Sequence, residues 1–221
     1  MAPPLIRRSN LLVAVTDQQA VGSAWRHNAD AITLDLEDGV PEAQKPAARR
    51  MLTDAIAAVS RGGAEVFVRI NPGFITEELG PALSPALRGI VVPEVDCAEQ
   101  VVEMDRVLSA LETSRGIANN SIEIILLLES ARAVWRAGDI FRTSRRIRQA
   151  GLDEGRLAAD MGIFTGSDCD ALEFSRGRLA VEAVAAGVQP ILLTMGMPPQ
   201  QQPFTPESLS SLAAHARSLG I

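Results

Sequence analysis

Ala31-Ile32-Thr33-Leu34-Asp35-Leu36-Glu37-Asp38 is an apolar run that turns acidic as it ends. Ala31–Leu36 reads as a strand. Side chains alternate along a strand, so Asp35 and Glu37 share one side and Leu34 and Leu36 the other. The leucines suit contact with covering helices. The two carboxylates then face the space that the strands enclose. Other strands end in the same way: Arg69 and Asn71 close Glu65–Ile70, Glu94 sits near the end of Gly89–Val95, and Glu129 follows Ile122–Leu128. The C-terminal strand ends form the active face of a (β/α) barrel. Charge converging there from four strands predicts a TIM-type barrel rather than an open doubly wound sheet. No Gly-x-Gly-x-x-Gly follows a strand, so the dinucleotide fingerprint is missing.

The rest of the chain repeats this alternation, which predicts βαβ units and a parallel sheet. Strands are expected at Asn10–Val15 and Pro190–Met195 besides those above. Helices are expected at Gln18–His27, Ala43–Arg61, Ala98–Ser114, Ala131–Arg142, Leu172–Ala186 and Pro206–Leu219. Gly62-Gly63 stops the second of these. Ser84–Arg88 reads as a short helical turn. Arg146–Leu152 is a weak strand candidate, rich in arginine and poor in β-branched residues. Nothing after Leu219 offers an eighth strand. The whole chain, residues 1–221, reads as a single (β/α)-barrel domain.

Hydrophobic residues make up 47% of the 221, enough for one real core. Tyrosine is absent, so branched aliphatics must fill that core, as suits a buried parallel sheet. A net charge of −6 argues against a nucleic-acid partner. The basic run Arg142–Arg148 has no interleaved aromatics. Cys97 and Cys169 give neither a disulfide framework nor metal spacing. No apolar run approaches the ~18 residues that span a bilayer, and the N-terminus lacks an apolar signal core. These readings predict a cytoplasmic protein with no membrane partner.

Buried carboxylates without partners are too costly to keep charged. Arg69, at the end of the next strand, is the natural cation for Asp35 and Glu37, and a bidentate pair would orient both groups. Asp38, before Gly39-Val40-Pro41, either joins the site or caps the following turn. Glu129, at the end of a long buried strand, offers a hard oxygen donor of the kind Mg²⁺ takes. Such an ion can stabilise an enolate. His27 and His215 stand alone and read as ordinary surface or packing residues. Gln200-Gln201-Gln202 reads as a loop, and Met195 and Met197 are expected to line the open end of the barrel.

Leu34-Asp35-Leu36-Glu37-Asp38-Gly39-Val40-Pro41, Lys45-x-x-x-Arg49 and Val68-Arg69-Ile70-Asn71 together resemble the citrate lyase β-subunit-like group of the HpcH/HpaI aldolase superfamily. Arg8-Ser9-x-Leu11, Gly89-Ile90-Val91-Val92-Pro93, Leu128-Glu129-Ser130 and Leu157-Ala158-Ala159-Asp160-Met161-Gly162 extend the match. So do Ser175-Arg176-x-Arg178 and Ala185-Ala186-Gly187-Val188-Gln189. The resemblance runs from about residue 8 to the end. It implies a TIM barrel that cleaves or forms a carbon–carbon bond beside a carboxylate, Mg²⁺-dependent, on malyl-, citramalyl- or citryl-thioesters or a related oxo acid. It implies Glu129 as a metal ligand; Asp153 or Glu154 would stand in as the second ligand if the loop that holds them is shifted relative to the family. Arg69, with Arg8, would bind the substrate carboxylate or developing enolate, and Glu37 and Asp38 would complete the catalytic set.

Four departures from the family pattern stand out. Arg156 falls where the second metal carboxylate belongs. Glu94 replaces a lysine. Ala14-Val15-Thr16-Asp17 replaces the Pro-Gly after the first strand. The terminal strand and the helices beyond it are missing. A barrel short of its closing strand exposes unpaired backbone, which predicts a homo-oligomer or a piece of a longer chain. The departures also keep alternatives open: a non-catalytic relative serving as a subunit, or a metal-free binder of a small dicarboxylate through Arg69.

Overall fold

The computed structural model describes residues 7–163, 171–191 and 205–218. Among them, strands β1 (Asn10–Ala14), β2 (Ala31–Asp35), β3 (Glu65–Arg69), β4 (Leu87–Val92), β5 (Glu123–Leu128), β6 (Ile147–Leu152) and β7 (Gln189–Pro190) follow one another in a parallel sheet in chain order. The helices are α1 (Gln18–Ser23), α2 (Lys45–Val59), α3 (Ile75–Leu79), α4 (Ala98–Ser114), α5 (Ala131–Trp135), α6 (Ala137–Phe141), α7 (Glu154–Asp160), α8 (Glu173–Ala186) and α9 (Pro206–Ser218). None of the described helices is long and apolar enough to cross a membrane. The chain divides into two compact units, Met1–Pro93 with Val102–Ile125, and Glu94–Val101 with Leu126–Ile221.

In the first unit every residue of β2 is buried. A strand buried on both faces must be covered on both, which is why this one reads as a near-continuous apolar run. Helix α2 supplies cover through Ala48, Leu52, Ala55, Ile56 and Val59, spaced at helical periodicity. A 3-10 turn, Ser60–Gly62, follows α2 and closes where Gly63 takes a left-handed φ of 80°. Parallel pairing sets Asp35 directly opposite Arg69 and Leu34 opposite Val68. At the other end of the same strands, Arg7 pairs with Glu65 and, at 2.7 Å, with Glu123. Its guanidinium lies 4.7 Å from the centre of the Phe67 ring. Arg88 also pairs with Glu123, and reaches Glu65 at 3.2 Å.

In the second unit, β6 corrects the weak reading of Arg146–Leu152. Arg146 and Gln149 are buried, and only Arg148 along the strand is half-exposed. Burial and the pairing of Gln149 and Ala150 with Gln189 and Pro190 override poor strand propensity. The helix expected over Ala131–Arg142 is two, α5 and α6, separated at Arg136. In the first unit the turn expected over Ser84–Arg88 is present at its start, where the Leu87 N–H donates to Ser84 O at 3.0 Å, but β4 begins at Leu87, and a short helix not expected lies at Ile75–Leu79. The strand expected over Pro190–Met195 appears as Gln189–Pro190, and its part from residue 192 lies outside the described residues.

Candidate functional site

The register of β2 and β3 decides the first cluster. Arg69 Nε donates to Asp35 Oδ1 at 2.8 Å and Nη2 donates to Asp35 Oδ2 at 2.6 Å. Both side chains are 2% exposed. Burial lowers the Arg69 pKa, but the Asp35 bonds and the charges of Asp35, Glu37 and Asp38 outweigh it, so the net shift is upward. The guanidinium therefore stays charged inside the protein.

Asp35 also shapes the turn that follows it. Its Oδ1 accepts from the Glu37 N–H at 2.8 Å and its Oδ2 from the Gly39 N–H at 2.8 Å. A Cβ at residue 39 would sit 2.6 Å from Asp35 Oδ2, so the turn needs glycine for close approach. Asp35 caps the turn. Glu37 Oε2 lies 3.2 Å from Arg69 Nη1 and accepts from the Asp38 N–H at 3.0 Å. Asp38 Oδ2 lies 3.4 Å from the same Nη1, on a side chain 49% exposed. The Nε–Nη2 edge of the guanidinium is thus tied to Asp35, and Nη1 is where Glu37 and Asp38 converge.

A second layer steadies the ends of these strands. Asn71 Nδ2 donates to Leu36 O at 2.9 Å and to Glu78 Oε1 at 2.7 Å, and Lys45 Nζ donates to Asn71 Oδ1 at 2.6 Å. Arg49 Nε reaches Glu78 at 3.1 Å. Burial pushes the Glu78 carboxyl up from its ordinary value, against the bonds from Asn71 and Arg49 that pull it down. Lys45, Arg49 and Asn71 stand in the sequence motifs. Glu78 does not, and in Ile75-Thr76-Glu77-Glu78 nothing distinguishes it from its exposed neighbour Glu77.

The second unit holds the other expected residues. Glu129 follows β5 and Asp153 follows β6; both are 7% exposed. The Asp153 N–H donates to Leu128 O at 3.0 Å, and its Oδ1 accepts from the Arg156 N–H at 3.0 Å, capping α7. The Arg156 side chain turns back onto both carboxylates. Nη1 lies 3.4 Å from Glu129 Oε2 and 3.2 Å from Glu94 Oε1, and Nε lies 3.9 Å from Asp153 Oδ2. Glu94 and Arg156, the two positions whose charges depart from the family pattern, are each other's partners. Glu154 is held elsewhere, by two bonds from Arg176 at 2.6 and 2.7 Å. Asp160 Oδ2 accepts from the Ala131 N–H at 2.8 Å at the start of α5.

Arg8 is not brought to Arg69. It precedes β1 and pairs with Asp30, just ahead of β2, at 3.0 Å, which places it at the opposite ends of these strands. The pairing holds the Asp30 carboxyl down to about 2. His27 is exposed, as expected of an ordinary surface residue. The Cys97 thiol is half-buried and points at Gln100 Oε1, 3.5 Å away. Cys169, Met195, Met197 and residues 200–202 lie outside the described residues, as does the side chain of His215.

Magnesium ions take a few carboxylate oxygens and keep several waters. Glu129 and Asp153 supply such oxygens, but a guanidinium already lies against both, and one oxygen of Asp153 is spent on the helix cap. As arranged, the set does not fit Mg²⁺. No group of three or more His, Cys, Asp or Glu suited to a metal occurs among the described residues.

Comparison with known proteins agrees with the resemblance read from the sequence. The chain is 27% identical to the citrate lyase subunit beta of Leuconostoc mesenteroides subsp. cremoris over 186 residues, 83% of this chain and 62% of that one. It is 33% identical over 143 residues to the L-malyl-CoA/beta-methylmalyl-CoA lyase of Rhodobacter capsulatus, 62% of this chain and 45% of the other. It therefore spans less than two thirds of either relative. The solved citrate lyase beta subunit from M. tuberculosis, complexed with oxaloacetate and magnesium, superposes with a TM-score of 0.70 at 24% identity, over 97% of this chain and 90% of that one. That likeness carries the fold, an α/β arrangement of the TIM-barrel type, as the strand-end charges predict. The family model for HpcH/HpaI aldolase/citrate lyase matches residues 8–211, and the chain belongs to that family.

Proposed function

We propose that this chain is a carbon–carbon lyase acting on a short hydroxy acid or its thioester, of the malyl-, citramalyl- or citryl-CoA kind, or on a related oxo acid. The observation that carries the reading is the buried Arg69 guanidinium, fixed by Asp35 along its Nε–Nη2 edge while Nη1 is turned toward Glu37 and Asp38. The family and its named lyases support the same class of reaction.

Retro-aldol or retro-Claisen cleavage begins when a carboxylate takes the substrate's hydroxyl proton. The O–H electron pair becomes the new carbonyl, the adjacent carbon–carbon bond breaks, and its electrons move onto the neighbouring carbonyl as an enolate. A proton returned to carbon completes the products. The enolate oxygen needs a positioned positive charge that does not reorganise during the reaction. Arg69 meets that need, because its bidentate pairing leaves it no freedom to turn. Asp38 is the group suited to take the proton: it is half-exposed, and its contact with Nη1 is the longest of the three carboxylates. An incoming substrate oxygen displaces it from Nη1 with least cost.

The test is turnover of malyl-CoA, citramalyl-CoA and oxaloacetate by the wild type and by Arg69→Lys. Product release by the wild type, lost in Arg69→Lys with the fold retained, supports the reading. Saturable binding of a dicarboxylate with no turnover of any of the three would replace it with a non-catalytic binder.

A further inference from the structure

We propose that Arg156 is a built-in cation of the second unit, taking the place of a divalent ion between Glu129 and Asp153, so that these carboxylates bind neither Mg²⁺ nor Mn²⁺. Three carboxylates approach this one guanidinium: Glu94 at 3.2 Å, Glu129 at 3.4 Å and Asp153 at 3.9 Å. Two of them stand immediately after β5 and β6 and are almost fully buried. Buried carboxylates demand a counter-charge, and in this unit the chain supplies it covalently.

The arrangement is held at both ends of the arginine. Its main-chain N–H is fixed by Asp153 Oδ1 in the first turn of α7, so its Cα cannot move away from the carboxylates. Its side chain is charged at any pH the protein tolerates. Glu94 lies outside the buried pair, on an exposed side chain, and pairs with the same Nη1 as Glu129. Its backbone takes a φ of 56°, which few residues other than glycine adopt, and so brings the carboxylate to Arg156 at a conformational cost. A doubly charged ion placed on Glu129 and Asp153 would meet this fixed positive charge at contact distance. A guanidinium differs from a metal in one further way. It donates hydrogen bonds in a plane and has no exchangeable water to acidify, so it can orient an anion but cannot generate a hydroxide.

The inference concerns the cation and not the substrate, so it is read without turnover. Mn²⁺ binding is measured by electron paramagnetic resonance and by calorimetry on the full chain, for the wild type, Arg156→Asp, Arg156→Gln, and Arg156→Asp combined with Glu129→Gln. The wild type is expected to bind no Mn²⁺ below millimolar concentrations. Arg156→Asp is expected to bind at least about 100-fold tighter, and the added Glu129→Gln to abolish the gain. Arg156→Gln, which removes the charge without adding a ligand, serves if the aspartate variant does not fold, and is expected to bind Mn²⁺ more tightly than the wild type. Micromolar Mn²⁺ binding by the wild type, lost on Glu129→Gln, would overturn the proposal. So would the absence of any gain in folded Arg156 variants. These binding readouts do not depend on turnover, so failure of the lyase reading leaves them unchanged and is distinguished by the turnover test alone.

Discussion

Arg69 and Asp35 face each other from register-paired positions on β3 and β2 and are joined by two parallel hydrogen bonds, at 2.8 and 2.6 Å. Both groups are buried. Removing one partner leaves the other charged and buried. Asp35→Asn is therefore expected to destabilise the protein by about 3–5 kcal/mol, measured by urea unfolding. Replacing both, as Asp35→Leu with Arg69→Met, is expected to cost less than the two single changes summed. Additive costs would show that the two side chains do not act as a pair.

Asp38 is half-exposed and makes the longest contact with Arg69. Asp38→Asn is expected to change stability by no more than about 0.5 kcal/mol. If Asp38 takes the substrate proton, kcat falls by about 100-fold or more in the same variant. Stability and kcat measured on one preparation separate the two effects, and an unchanged kcat removes Asp38 from the mechanism.

Gly39 is close enough to Asp35 that an added methyl group would collide with Oδ2. Gly39→Ala is expected to push the Asp35 carboxylate off Arg69 and cost about 1–3 kcal/mol, as overpacking does. Gly73 has open space around its Cβ direction, and Gly73→Ala serves as the control. The contrast in thermal midpoint between the two variants is the measurement.

Glu78 gives a pH signature. Burial raises its folded pKa above the ordinary value of 4.5. The folded state then holds the proton more tightly than the unfolded state does. The stability this confers is present below pH 4.5 and is lost as pH rises through the folded value. In Glu78→Gln that loss is absent. The variant is expected to gain on the wild type as pH rises across this window, read as the difference between urea midpoints at each pH. A difference that does not change with pH would show that Glu78 ionises alike in both states.

Much of this was legible in the chain itself. The β2 pattern gives strand, parity and interior carboxylates, because period-two alternation maps directly onto a sheet face. The pairing of Asp35 with Arg69 follows from the cost of burying a charge. Three features were not legible. Strand β6 hides behind Arg146 and Arg148, since only tertiary burial makes such a sequence extended. Glu78 has the appearance of a helix surface residue, and only the fold of residues 71–78 turns it inward onto Asn71. Arg156 is visible as a departure from the family pattern, but its three carboxylate partners come from segments 27 to 62 positions apart from it or from its own cap, and no spacing rule joins Glu94 to it.

The set of Arg7, Glu65, Arg88 and Glu123 gathers the start of β3, whose other end carries Arg69, with the starts of β4 and β5 and the residues just before β1. One end of the sheet in this unit is thus anchored by its own charges, independent of the end where chemistry is proposed. Substitutions at Glu37 or Asp38 leave that anchor intact. Change at the half-exposed Asp38 is therefore cheap for the fold, whereas change at the buried Asp35 or Arg69 is not.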